Sequence, residues 1–129
     1  MNKVSKILSS VKEMPVTDRE KLEKFEWLSS HIAEENKKVN ITSITDDVGI
    51  ATKHFADSLS LLRLDVFQKE NIKVADIGCG GGFPGLPIKI MRDDIDVTML
   101  DSTEKKIRYV DSTAREMGLE KIKCVAQRR

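Results

Sequence analysis

The densest concentration of chemically useful residues is the run Asp76-Ile77-Gly78-Cys79-Gly80-Gly81-Gly82-Phe83-Pro84-Gly85. Glycines at 78, 80 and 82 permit a tight turn in which backbone approaches a ligand closely, and a helix beginning just after them would offer unpaired N–H groups. Such a loop cradles a nucleotide-like cofactor. Glycine spacing alone does not choose which one, because Gly80, Gly82 and Gly85 also satisfy the dinucleotide pattern G-x-G-x-x-G. Asp101, 23 positions after Gly78, is placed to accept hydrogen bonds from both ribose hydroxyls in either case. Asp76 discriminates better: its charge opposes a nearby pyrophosphate and suits the cationic amino and sulfonium groups of S-adenosylmethionine. A methyl-donor loop is the favoured reading, with a dinucleotide site and a purely structural glycine turn still open.

The elements that must position these groups follow from hydrophobic spacing. Val4, Ile7, Leu8 and Val11 mark one face of a first helix, which Pro15 closes. Thr17 and Glu20 form a capping-box pattern ahead of the stripe Leu22, Phe25, Leu28 and Ile32, predicting a second helix to about Glu35. Lys37 to Thr45 reads as a loop, and Val48, Ala51, Phe55, Leu59 and Leu62 predict a third helix. The pattern then changes. Ile72 to Ile77 reads as a buried strand running into the glycines, with Pro84 or Pro87 in the first turn of the next helix. Ile95 to Leu100 is a second strand. Ile107, Val110, Ala114 and Met117 line another helix, which Gly118 is placed to end, and Ile122 to Val125 is a third strand. Three helices followed by alternating strands and helices imply an α/β chain, with a helical extension over 1–68 and a parallel Rossmann-like sheet over 69–129.

Composition narrows the class. The chain has 129 residues, 40% of them hydrophobic, and a formal charge of +1, enough for one ordinary globular domain. No run approaches the roughly 18 apolar residues of a membrane span, and an uninterrupted signal-peptide core is absent, so a cytoplasmic location is expected. Cys79 and Cys124 make no ligand-spaced cluster with His31 and His54, and neither a metal site nor a disulfide is expected. Charge is uneven. From Glu104 to Arg129 the basic residues Lys105, Lys106, Arg108, Arg115, Lys121, Lys123, Arg128 and Arg129 outnumber Glu104, Asp111, Glu116 and Glu120.

Several segments together resemble the bacterial 16S ribosomal RNA guanine-N7 methyltransferases, the glucose-inhibited division protein B family. Asn40-Ile41-Thr42 with Ile44-Thr45 is similar to that family's N-L-T-x-I-T segment, and Lys53-His54-Phe55-Ala56-Asp57-Ser58-Leu59 to its K-H-F-x-D-S-L helix. Asp76 to Pro87 resembles D-x-G-x-G-x-G-F-P-G-x-P, while Leu100-Asp101-Ser102 and Lys105-Lys106-Ile107 resemble L-D-S-x-x-K-R-[IV]. The resemblance implies the first half of a class I methyltransferase fold and methyl transfer from S-adenosylmethionine to N7 of a guanine. It implies 16S ribosomal RNA or the small ribosomal subunit as partner; the sequence leaves the oligomeric state open, with a monomer favoured.

By motif, Gly78, Gly80 and Phe83 would contact the cofactor and Asp101 and Ser102 would lie at its ribose and adenine. Asp76, Cys79 (through its backbone) and Gly82 complete the candidate cofactor set, and Arg129 falls in the family's R-x-E segment near the adenine. Guanine N7 already presents a lone pair, so no catalytic acid, base or covalent nucleophile is nominated. In-line positioning should do the work. Lys53, Lys105, Lys106 and Arg108 are the candidate RNA phosphate contacts. His54, Asp57, Asn40 and Thr42 are expected chiefly to brace loops, and Phe25 and Trp27 to pack in the core. Because the family continues past the position of Arg129 with further strands, this sequence is expected to be a partial chain with one sheet edge unpaired. A nucleotide-cofactor oxidoreductase and a non-catalytic RNA-binding fragment are the alternatives.

Overall fold

The computed structural model describes residues 2–12 and 14–127. Helix α1 spans Lys3–Ser9, with the Asn2 side chain accepting from the Ser5 N–H at its start. It buries Val4 and Leu8 and ends before Val11. Helix α2 runs Arg19–Glu35 and buries Leu22, Phe25, Leu28 and Ile32, the predicted stripe. Its cap lies one residue later than the capping box suggests. Asp18 adopts the extended conformation and its carboxylate accepts the Glu20 and Lys21 N–H groups. An aspartate there also opposes the positive end of the helix dipole, which a threonine does not.

The predicted third helix is a composite. A single turn α3 (Asp47–Gly49) leads into a π-helix over Ile50–Ala56, a short α4 (Asp57–Leu59) and a 3-10 turn at Ser60–Arg63. Ala51, Phe55, Leu59 and Leu62 face the core as expected, whereas Val48 is exposed. A further 3-10 turn, Asp65–Gln68, has no helical periodicity in the sequence to announce it.

The sheet follows the predicted order. Strands β1 (Lys73–Ile77), β2 (Asp96–Asp101) and β3 (Ile122–Ala126) are parallel neighbours in the order β1-β2-β3. Helix α5 (Gly85–Met91) connects the first two, with Pro84 at its cap and Pro87 in its first turn, and α6 (Glu104–Glu116) connects the second pair. Gly118, at φ +69°, terminates α6 in the left-handed conformation that glycine adopts without a Cβ clash. Buried Lys89 pins the turn after α5 by donating to the carbonyls of Asp93 (2.9 Å) and Ile95 (2.6 Å).

Register separates two faces of the sheet. Asp76 pairs with Met99 and Cys124, on the side where Val97, Met99, Leu86, Ile107 and Val110 are buried. The opposite side carries Ile77, Leu100 and Val125 in one row, and Ile77 is 76% exposed there. The helical extension and the covered face share one hydrophobic cluster, running from Val4 and Phe25 through Phe55 to Met99 and Ala114. Trp27 departs from its expected core position: it is 38% exposed and stacks on His31 at 4.5 Å, which in turn stacks on Tyr109 of α6. No described helix is long and apolar enough to cross a membrane.

Candidate functional site

Strand β1 ends at Ile77 and the chain turns at once through three left-handed glycines, Gly78 (φ +72°), Gly80 (+53°) and Gly82 (+101°). These glycines are not equivalent. A Cβ on Gly78 or Gly80 would meet no atom within 4 Å, so both border open space, whereas one on Gly82 would lie 2.6 Å from Leu86 Cδ1. Gly78 and Gly80 make a cradle, and Gly82 lets the loop close onto α5. Gly81 and Gly85 are glycines for contact: a Cβ would come within 2.5 Å of Ile41 Cγ2 at the first and 2.3 Å of Met99 Sδ at the second.

Two carboxylates hold this loop. Asp101, the last residue of β2, accepts the Gly80 N–H at one oxygen (2.9 Å) and the Thr103 N–H at the other (2.9 Å). These backbone donors, Thr103 foremost and Gly80 next, hold its pKa below the usual carboxylate value, so it is ionised at neutral pH. A carboxylate has about four lone-pair sites; the two N–H groups and the Thr103 hydroxyl use three of them, and the hydroxyl, a rotor on an exposed residue, can yield its place to a ligand. Asp76 accepts the Gly85 N–H (3.0 Å), capping α5 from the neighbouring strand. Burial pushes its pKa up, opposed by the Gly85 bond and reinforced by the charge of Asp101. The pair thus surrounds the glycine turn with negative potential. Such a field favours a cationic group over a diphosphate.

Cys79 is buried, and its thiol is pushed up to about 12, first by burial and then by the charges of Asp76 and Asp101. Its backbone does the work: the N–H donates to Leu100 O and the carbonyl accepts from the Gly82 and Phe83 N–H groups. Ser102 is exposed between Asp101 and the start of α6. Lys105 and Arg108 are exposed on α6, and half-buried Lys106 lies near enough to Asp101 to lower its pKa. Lys53 is exposed on the π-helix. Arg129 lies outside the described residues.

Phe83 does not stand free over the cradle. Its ring stacks on His54 at 4.3 Å with an interplanar angle of 3°, and Phe55 approaches it at 6.3 Å from the core. His54 Nε2 in turn shares a 2.8 Å hydrogen bond with Thr42 Oγ1, which also accepts the Ile44 N–H. Asn36, at the end of α2, accepts the Ile41 and Thr42 N–H groups at 2.8 and 3.0 Å. Asn36 has no place in the sequence reading, where its one signal is a side-chain amide just past a helix end.

Residues 21–129 match the family described as rRNA small subunit methyltransferase G, GidB. The chain belongs to this family. Among curated relatives, each named ribosomal RNA small subunit methyltransferase G, that of Clostridium tetani is 44% identical over 106 residues, 82% of this chain and 44% of that protein. One from Clostridium perfringens is 40% identical over 111 residues, 86% of this chain and 46% of the relative. One from Streptococcus pneumoniae is 39% identical over 112 residues, 87% and 47% respectively. The chain spans about half the length of these relatives. Within the GidB family match lie all of the loops described above: the Asn36 to Ile44 segment, the π-helix and the glycine turn with its two aspartates.

Proposed function

We propose that this chain forms the cofactor-binding part of an S-adenosylmethionine-dependent methyltransferase acting on N7 of a guanine in 16S ribosomal RNA, on the small subunit or its RNA, in the cytoplasm. The observation that carries the reading is the pairing of Asp76 and Asp101 around the open cradle of Gly78 and Gly80. These residues fit the group. Asp101 can offer lone pairs to ribose hydroxyls, and the half-buried charge of Asp76 favours a cationic ligand. When bound, S-adenosylmethionine supplies an activated methyl group.

What the chain's own residues contribute is placement. The backbone of Gly78 and Gly80 gives close approach, Asp101 fixes the loop through Gly80, and buried Cys79 adds no nucleophile at neutral pH. A guanine N7 already presents a lone pair, so the reaction asks no general base of the site. Lys53 sits beside His54, and Lys105, Lys106 and Arg108 follow Asp101, so both basic groups adjoin residues that touch the glycine turn. They are the proposed phosphate contacts that hold RNA at the loop.

Calorimetry on the full-length protein tests the cofactor: S-adenosylhomocysteine should bind and NAD should not, and the reverse preference refutes the reading. Methyl transfer to small ribosomal subunits should lose its steep salt dependence when Lys53, Lys105 and Lys106 are replaced by Gln.

A further inference from the structure

We infer that His54 is a positioning residue for the cofactor loop, acting through the face of Phe83 and held in place by Thr42. The inference rests on the cofactor reading above and adds what sets the loop's shape from the helical side. Three contacts cross from the extension to the glycine turn, and they converge. His54 lies flat on Phe83 at 4.3 Å, Phe55 supports the same ring from the core, and Ile41 packs against the backbone of Gly81 so closely that a Cβ there would sit 2.5 Å from it.

The order of support can be followed outward. Asn36 gathers the Ile41 and Thr42 N–H groups, Thr42 shares its hydroxyl with His54 Nε2, and His54 covers Phe83. The π-helix carries both side chains that meet this ring. Phe55 is fully buried and meets Phe25 in a tilted ring contact at 5.0 Å, which anchors it in the core. Burial also favours the neutral imidazole, the form that stacks without a charge to desolvate, although Asp57 pulls the other way.

Phe83 is the hinge point of this arrangement, because its N–H and that of Gly82 both donate to Cys79 O. A ring held flat by His54 therefore holds the turn that presents Gly78 and Gly80. Losing the imidazole should free the ring and let the loop sample shapes that do not fit the ligand.

The test uses the full-length protein with two readouts. In calorimetry with S-adenosylhomocysteine, His54→Ala should weaken binding about tenfold, while His54→Phe, which keeps the stack and drops the Thr42 bond, should stay within about threefold of the unsubstituted protein. In a Phe83→Ala background, His54→Ala should change affinity by less than about twofold, since residues acting as a unit are non-additive. An equal weakening in both backgrounds, or none in either, overturns the inference. In the ligand-free protein, hydrogen exchange at the Gly82 and Phe83 amides should quicken in His54→Ala and not in His54→Phe. Unchanged exchange refutes the positioning role by itself, whereas failure of the unsubstituted protein to bind S-adenosylhomocysteine overturns the cofactor reading beneath it.

Discussion

Replacing Asp101 by Ala separates what the carboxylate does for the fold from what it does for a ligand. In the free protein the change removes the acceptors of two backbone N–H groups, those of Gly80 and Thr103. Thr103 is exposed and can turn to water, and Gly80 is half-buried, so the stability loss should be about 1–2 kcal/mol, the net value of one to two hydrogen bonds. That corresponds to a fall in Tm on the order of 4–8 °C. Ligand binding should suffer more. Two charge-assisted bonds to ribose hydroxyls at about 1.5 kcal/mol each amount to about 3 kcal/mol, a loss of about 100-fold or more in Kd. Asp101→Asn, with one oxygen left, should fall between.

The pH dependence has a definite sign. Asp101 titrates below its unfolded value, so its contribution to stability is complete above about pH 4 and disappears as pH falls through the lower folded value. The unsubstituted protein and the Ala variant should therefore differ by a constant amount near neutrality and converge only in acid. Calorimetry with S-adenosylhomocysteine and urea unfolding at several pH values give both quantities. A folded Ala variant whose affinity lies within about threefold of the unsubstituted protein would refute the role assigned to Asp101.

Asp76 should show the opposite sign. Its folded pKa is raised, so ionisation costs stability as pH climbs above about 4, and Asp76→Asn, which keeps an oxygen for Gly85, should be at least as stable at pH 7 by urea unfolding yet bind the sulfonium cofactor more weakly. Gly85→Ala forces a methyl against fully buried Met99 and should cost about 2–3 kcal/mol in the same assay. Gly78→Ala meets no neighbour but needs a left-handed backbone; a loss of about 1 kcal/mol, with a larger fall in ligand affinity measured by calorimetry, is expected there. Cys79 should resist iodoacetamide at pH 8 in the native protein and react on unfolding, and Cys79→Ala should retain ligand binding, since the position serves through its N–H and carbonyl.

The parts of this architecture that were legible in the sequence are those written locally. Strand, glycine turn and helix follow one another within 73–91, and Gly118 ends α6 because only the backbone of that residue must change hand. The stripe Leu22, Phe25, Leu28 and Ile32 predicts α2 for the same reason, but adjacent Thr17 and Asp18 can both cap, and only backbone geometry selects Asp18. The third helix shows where periodicity runs out. Ala51, Phe55, Leu59 and Leu62 repeat at three or four residues whether hydrogen bonds run to the fourth residue or the fifth, so the π-helix leaves no mark on the pattern. Asp76, Gly78, Gly80 and Asp101 could be nominated from spacing, but the joining of Phe83 to His54, and of His54 to Thr42, spans about 40 residues and is created only by tertiary packing. Trp27 was misplaced on similar grounds, because one helical stripe does not say which of its flanks meets α6.

The π-helix makes this region sensitive to length as well as to composition. A π segment carries one more residue per hydrogen-bonded ring than an α-helix, so deleting a single residue within 50–56 would let the segment relax into ordinary α-helix. The helix would survive, and its apolar face could still find the core. His54 and Phe55, however, would be carried together to a different register around the axis, away from the position in which they meet Phe83. Conservative substitutions along these seven positions leave the register intact, whereas the loss of one codon shifts it. The spacing of the chain is thus itself a component of the site, as surely as any side chain that borders the glycine turn.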